Sequence, residues 1–353
     1  MKICICGGGN LAHAFAGDIG LQNDNIEINI LTRQPEKWDD KISVYYDMEF
    51  HHIRNIKTIT NSYEILKKMD IVILTIPAHA RYSYLEEIKN YIPKNALLIS
   101  APSIGGINYL FDKFFPNNKY ICCQRVPYIC RTIEYGHKVN TDVKKCISAF
   151  FSKNCTLNEK KLIATLLNMQ VVEMETPFPL FLSNSNPILH IAGMCEILNK
   201  EYPLDYIPKL YDTWSDYASN LAIGMDQELS LVMEKLDVKD YSTLLEYYGV
   251  NNSNELTQKL KSIKSFEQVF APLIKDGDKY VIDNNSRYII EDLPYGTCFI
   301  KLFAEKNNIK TPTINYCLDK LQQFYKVKLI DNDGKLNIDN LSSQIEYINE
   351  CIK

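Results

Sequence analysis

Apolar residues come in short unbroken runs through the first part of the chain and at helical spacing through the rest. The runs KICIC (2–6), IEINILT (26–32), DIVILTIPA (70–78) and NALLISAPS (95–103) contain few polar positions. That is the pattern of strands buried on both faces of a parallel sheet. Between the first two lies GGGNLAHAFAGDIG (7–20), which reads as a turn and then a helix. Strand, helix and strand in this order predict an α/β Rossmann domain, a doubly wound parallel sheet, over residues 1–157.

Past residue 157 strand-like runs nearly vanish. Tyr211, Trp214, Ala218, Leu221, Met225 and Leu229 recur every three or four residues, which predicts a long amphipathic helix. SFEQ (265–268) has the form of a helix capping box, and Thr311 before Pro312 marks another helix start. An all-α second domain is therefore expected over residues 158–353.

Composition narrows the class. A chain of 353 residues suits two domains, and 46% hydrophobic with 23% charged residues is ordinary globular usage. A net charge of -4 supplies no broad attraction to nucleic acid or to an anionic membrane, so neither is expected as a partner. No apolar run approaches the roughly 18 residues of a membrane span, and the N-terminus lacks the long apolar region of a signal peptide. The 11 cysteines are scattered without paired C-x-x-C clusters, so no metal site is expected. They read as reduced thiols of a cytoplasmic protein.

Gly7, Gly8, Gly9, Asn10, Leu11 and Ala12 fit the pattern G-x-G-x-x-A directly after a strand and at the start of a helix. Gly7 permits the tight turn, Gly9 leaves room for a pyrophosphate, and Ala12 lets helix and strand pack closely. The helix N-terminus favours the phosphate charge. A glycine turn that binds nothing shares the pattern, but the strand–turn–helix context favours a dinucleotide. The second strand ends at Thr32 and Arg33, with Lys37 beyond and no carboxylate at the tip. A planar guanidinium suits a 2′-phosphate, so NADP(H) is expected ahead of NAD(H), with a solvated surface arginine as the plainer alternative. Pro77, near the end of the 70–78 run, is counted with the cofactor-binding positions.

One histidine stands out in SNSNPILHIAGM (183–194). Asn186 is a good N-cap and Pro187 a good first helical residue, which puts His190 near the end of the first turn of an apolar helix. Backbone N–H groups are unpaired there and the helix dipole disfavours imidazolium. The residue reads either as a general acid/base or as a core histidine bonded to a carbonyl. Further on, Asp292 precedes Leu293 and Pro294, where a helix start is expected with Asp292 or Glu291 as its cap. Arg287 lies five residues earlier; taken alone it reads as a surface charge.

Four stretches in order give the chain a resemblance to the opine dehydrogenases, the octopine/nopaline dehydrogenase family. They are GGGNLA (7–12), QRVPYICR (124–131), NPILH (186–190) and RYIIEDLPYG (287–296). The resemblance implies a Rossmann domain and a helical domain with the active site in the cleft. It also implies NAD(P)H-dependent reductive condensation of an amino acid amine with a 2-oxo acid. On that likeness His190 is the catalytic histidine, Asp292 the carboxylate that orients and charges it, and Arg287 a clamp for a substrate carboxylate. Asp292 would then offset the unfavourable helix dipole at His190.

Gln124 stands where arginine-using members carry an acidic residue, and Arg125 follows it, which disfavours a cationic amino acid. Cys130 follows the family pattern and is expected to line the substrate pocket, not to act as a nucleophile. A homodimer through the helical domain is compatible with the pattern. Two other classes compete: a keto or hydroxy acid dehydrogenase of the Rossmann superfamily, and a non-catalytic NADP-binding sensor. Several of the former use a Lys with an Asn four residues later, and residues 160–240 hold no such pair.

Overall fold

The computed structural model describes every residue except Asp47, Asp240, Lys326 and Lys353. The chain divides into two compact units, Met1–Leu180 and Phe181–Lys353.

The first unit holds β1 (Lys2–Cys6), α1 (Asn10–Gln22), β2 (Glu27–Leu31), β3 (Ser43–Tyr46), β4 (Glu49–His52), β5 (Ile56–Thr60), β6 (Ile71–Leu74) and α2 (Ala78–Ile88). These are followed by β7 (Leu97–Ser100), α3 (Ile107–Phe114), β8 (Tyr120–Cys123), β9 (Tyr128–Glu134), β10 (Lys138–Val143), β11 (Cys146–Phe151), α4 (Leu157–Leu167) and β12 (Gln170–Glu173). The main sheet has the order β12-β11-β8-β7-β6-β1-β2-β5 and is parallel except between β8 and β11. From β5 to β8 this is the doubly wound order, with its switch point between β1 and β6.

The apolar runs are unbroken because both faces of the sheet are covered. Ile3 and Ile5 pack in one cluster with Ala12, Phe15 and Ile19 of α1. Cys4 and Cys6 alternate to the other face, where Tyr84 of α2 lies beside Cys6.

A second sheet, ordered β4-β3-β10-β9, packs on α1 and was not expected. Its strands are short and half polar; β10 (KVNTDV) buries only Val139 and Thr141. The first unit also extends past the expected border at residue 157. A Thr156–Glu159 capping box opens α4, and β12 then pairs in parallel with β11.

A short helix, α5 (Phe178–Leu182), straddles the division. The second unit continues with α6 (Ser185–Leu198), α7 (Asp216–Lys235), α8 (Leu244–Tyr248) and α9 (Ser253–Ser262). A hairpin of β13 (Leu273–Asp276) and β14 (Lys279–Ile282) follows. A π-helical segment (Tyr288–Thr297) then runs directly into α10 (Cys298–Lys306), before α11 (Pro312–Gln322) and α12 (Ser343–Cys351). Helix α6 packs against the π-helical segment, α7 and α11.

The unit is mainly helical as expected, with local differences. The long helix starts at Asp216 with Ser215 as its cap, so Tyr211 and Trp214 precede it. Both are buried all the same, and Trp214 Nε1 donates to Ser219 Oγ at 2.9 Å. SFEQ caps no helix: Ser265 sits within a single 3-10 turn. The chain then enters the hairpin, turned by Gly277 at φ +60. Thr311 does precede α11 as expected, but its hydroxyl does not cap the helix. The N–H groups of Thr313 and Ile314 instead donate to the Glu228 carboxylate of α7, at 2.5 and 3.0 Å.

Candidate active site

The glycine loop lies at the switch point of the main sheet. Gly7 has φ +134, and a Cβ there would lie 2.2 Å from Thr75 Oγ1, so only glycine lets the loops after β1 and β6 approach this closely. A Cβ on Gly8 would meet the hydroxyls of Thr32 and Tyr135 at 2.6 Å. Gly9, by contrast, faces open space, with nothing within 4 Å of an added Cβ. It is also the N-cap of α1, with no side-chain cap and no acidic residue in the first turn. Unpaired N–H groups, a helix dipole and open space above them form a cradle that fits a dinucleotide pyrophosphate.

Around this cradle Ala12 is fully buried, Leu11 packs against the same apolar cluster, and Asn10 Oδ1 accepts from the Thr132 N–H at 3.0 Å. Thr32 is buried just past β2, whereas Arg33 is exposed and makes no hydrogen bond or ion pair among the described residues. Pro77 is the N-cap residue of α2, on the loop after β6.

Sequence reasoning passed over two side chains that brace this region. His13 is fully buried, with Nδ1 2.8 Å from the Gly9 carbonyl, and its Nε2 accepts the Gly136 N–H at 2.8 Å. The Nε2 bond assigns the proton to Nδ1. Burial pushes His13 below the ordinary histidine range, with the Gly9 hydrogen bond opposing. Arg81 of α2 is also buried, and its guanidinium donates to the carbonyls of Ile76, Pro102 and Ile104. It thereby ties together the loops that follow β6 and β7.

In the second unit His190 Nδ1 and Asp292 Oδ2 lie 2.7 Å apart, both side chains largely buried. A carboxylate can only accept, so Nδ1 carries the proton and Nε2 is left for chemistry. The His190 imidazole makes no other hydrogen bond among the described residues. Its local setting differs from the expectation. The N-cap of α6 is Asn184, whose side chain accepts the Asn186 N–H at 3.4 Å. His190 therefore sits in the second turn. Asn184, Ser185 and Asn186 are all competent caps, and Pro187 is tolerated anywhere among the first four unpaired N–H positions.

Asp292 is likewise not a helix cap. The helical run begins at Tyr288 and carries Pro294 inside it. Proline lacks an N–H and clashes with the carbonyl four residues back, and the wider π turn passes through it without breaking the helix. The Asp292 carboxylate is then spent on His190.

Two more groups complete the cluster. The Tyr288 ring stacks on the His190 imidazole at 3.8 Å between centroids and 6° between planes. Burial, reinforced by the Asp292 charge, pushes the Tyr288 phenol up to about 12, so it stays neutral. Arg287 is exposed but not solitary: its Nε donates to Glu291 Oε2 at 2.6 Å, and Glu291 is buried. Tyr288 lies four residues before Asp292, but the expected helix start at Leu293 left it outside the helix, so neither the shared face nor the stacking was visible in the sequence.

Gly296 and Thr297 lock the π-helical segment onto α6. A Cβ on Gly296 would lie 2.2 Å from Pro187 Cγ, and Thr297 Oγ1 donates to the Pro187 carbonyl at 3.2 Å.

The remaining expected residues lie in the first unit, Gln124 and Arg125 between β8 and β9 and Cys130 on β9. Gln124 and Arg125 are half-buried, and the Gln124 amide reaches the Pro179 carbonyl at 3.4 Å. Cys130 lies on β9 against the apolar cluster, and burial pushes its thiol up to about 11. Among the described residues no helix is long and apolar enough to cross a membrane.

Residues 173–325 match the family described as NAD/NADP octopine/nopaline dehydrogenase, alpha-helical domain. Residues 2–103 match the family described as NADP oxidoreductase coenzyme F420-dependent. Octopine dehydrogenase of Mizuhopecten yessoensis is 24% identical over 93% of this chain and 92% of its own. Tauropine dehydrogenase of Arabella iricolor is 24% identical over 91% and 90%. Among solved structures, octopine dehydrogenase with NADH and L-arginine superposes with a TM-score of 0.84 at 21% identity, covering 98% of this chain and 95% of that one. At that identity the likeness is one of fold.

Proposed function

We propose that the chain, whose residues 173–325 match the octopine/nopaline dehydrogenase helical-domain family, is an NAD(P)H-dependent oxidoreductase that joins the amine of an amino acid to a 2-oxo acid and reduces the adduct to a secondary amine dicarboxylate. The reverse oxidation uses the same groups. A cytoplasmic setting suits its 11 unpaired cysteines.

The observation that carries the reading is the 2.7 Å contact between His190 Nδ1 and Asp292. The amine adds to the ketone to give a carbinolamine, whose hydroxyl must leave as water. Protonated His190 supplies that proton from Nε2 while Asp292 holds Nδ1 and offsets the positive charge. The reduced nicotinamide, when bound, supplies the hydride that reduces the resulting protonated imine to the neutral amine. His190 ends neutral and regains its proton from solvent.

Gly7 to Ala12, with Thr32 and Pro77, would hold the cofactor. The exposed Arg33 would meet a 2′-phosphate, which favours NADPH while NADH is also admitted. Arg287 would bind a substrate carboxylate through the donors that Glu291 leaves over. Gln124 and Arg125 would face the amine-side substrate and disfavour a cationic one.

Product analysis tests the reading against a simple keto acid reductase. With 15N-labelled amino acid, 2-oxo acid and NADPH, the expected product is a secondary amine that retains the label. A hydroxy acid without nitrogen would make the reductase the better account.

A further inference from the structure

We propose that Tyr288 is the positioning residue for His190, fixing the plane of the imidazole as Asp292 fixes its rotation within that plane. The inference rests on the functional reading above and adds to it a residue that sequence motifs did not assign.

A hydrogen bond at one edge leaves a ring free to tilt about that bond. The 2.7 Å contact to Asp292 holds only the Nδ1 edge of His190. The Tyr288 ring covers one face of the imidazole, 3.8 Å away and within 6° of parallel. Face and edge contacts together leave Nε2 a single direction. Both partners come from one π-helical segment, four residues apart, and that segment is pinned to α6 by the Gly296–Pro187 contact. A neutral aromatic face also tolerates the positive charge that the imidazole must carry before it gives up its proton.

Among the described residues no other ring stacks on His190. On the same segment Arg287 and Glu291 are bound to each other. Tyr211 stacks instead on Phe266, at 4.2 Å. On α7 Asp226 is taken up by the Tyr241 hydroxyl and the Leu244 N–H, and Glu228 by the start of α11. On α11 Lys320 reaches Tyr217 and Asn199.

Two substitutions separate ring from hydroxyl. Tyr288→Phe keeps the stacked face, and Tyr288→Leu removes it. The protein has only 6 histidines, so the ring protons of His190 can be assigned by their loss in His190→Gln. Upfield ring-current shifts of these protons are expected in the wild type and in Tyr288→Phe, and ordinary shifts in Tyr288→Leu. Turnover of an amine and oxo acid pair should fall about tenfold in Tyr288→Leu, since small misplacement of a reacting group is costly. It should stay near wild type in Tyr288→Phe, and the cofactor KM should not move in either.

Unchanged His190 shifts in Tyr288→Leu would overturn the stacking. Altered shifts with undiminished turnover would overturn the positioning role. If the wild type turned over no such pair, the functional reading would fail, and the ring-proton shifts would still decide whether Tyr288 holds His190.

Discussion

Gly296 lies so close to Pro187 that a Cβ on residue 296 would come within 2.2 Å of the proline ring. This contact sets where the π-helical segment crosses α6, and His190 and Asp292 meet across the same crossing. Gly296→Ala should therefore cost about 1–3 kcal/mol by overpacking. It should lower turnover, while cofactor affinity, which we propose rests on the glycine loop of the first unit, stays near normal. Urea unfolding, turnover and a cofactor titration check this together. Wild-type stability and turnover in the variant would separate the contact from the dyad.

His190→Ala should lower turnover about a hundredfold or more, the usual range for a positioned acid/base. Asp292→Asn should impair the same step. If the two work as one unit, the double variant is little worse than the worse single one. Fully additive losses in a kinetic double-mutant cycle would show that they act separately.

Arg33→Ala should weaken NADPH binding by about 1.5–3 kcal/mol and leave NADH binding almost unchanged, because only the 2′-phosphate loses a charge-assisted partner. Fluorescence titration of both cofactors gives the comparison. Equal losses would assign Arg33 to the structure of the loop.

The buried His13 makes stability depend on pH in a definite direction. Burial lowers its proton affinity in the fold, so the folded state binds fewer protons than the unfolded state just below pH 6.5. Its contribution is complete above 6.5 and is lost as pH falls through the depressed folded value. Protonation would also remove the acceptor of the Gly136 N–H. The stability difference between wild type and His13→Gln should thus shrink on acidification below 6.5, at no more than about 1.4 kcal/mol per pH unit for one proton. A difference that stays constant from pH 7.5 to 5 would contradict this.

The elements that the sequence revealed are those whose pattern is complete within one short window. The runs containing Ile3, Ile28, Ile71 and Ile99 are buried on both faces, and each became a strand of the main sheet. The second sheet was hidden because its strands offer at most two buried positions each among the described residues, and none in β4, and its partners are far apart in sequence, as Val139 and Val44 are. The helix ends near the dyad were misjudged for a related reason. Asn186 and Asp292 are both good caps by type, but Asn184 lies two residues earlier and His190 claims the Asp292 carboxylate. His13 and Arg81 were invisible because the groups they bind are backbone carbonyls and an N–H, several of them on distant loops.

The requirement for two organic substrates tests the central claim most directly. NADPH oxidation should be negligible with a 2-oxo acid alone or an amino acid alone, and rapid when both are present. The His190→Ala variant should lose that joint rate while still binding NADPH. If a 2-oxo acid alone oxidised the cofactor as fast as the mixture, the chain would be a keto acid reductase and the condensation account would be wrong.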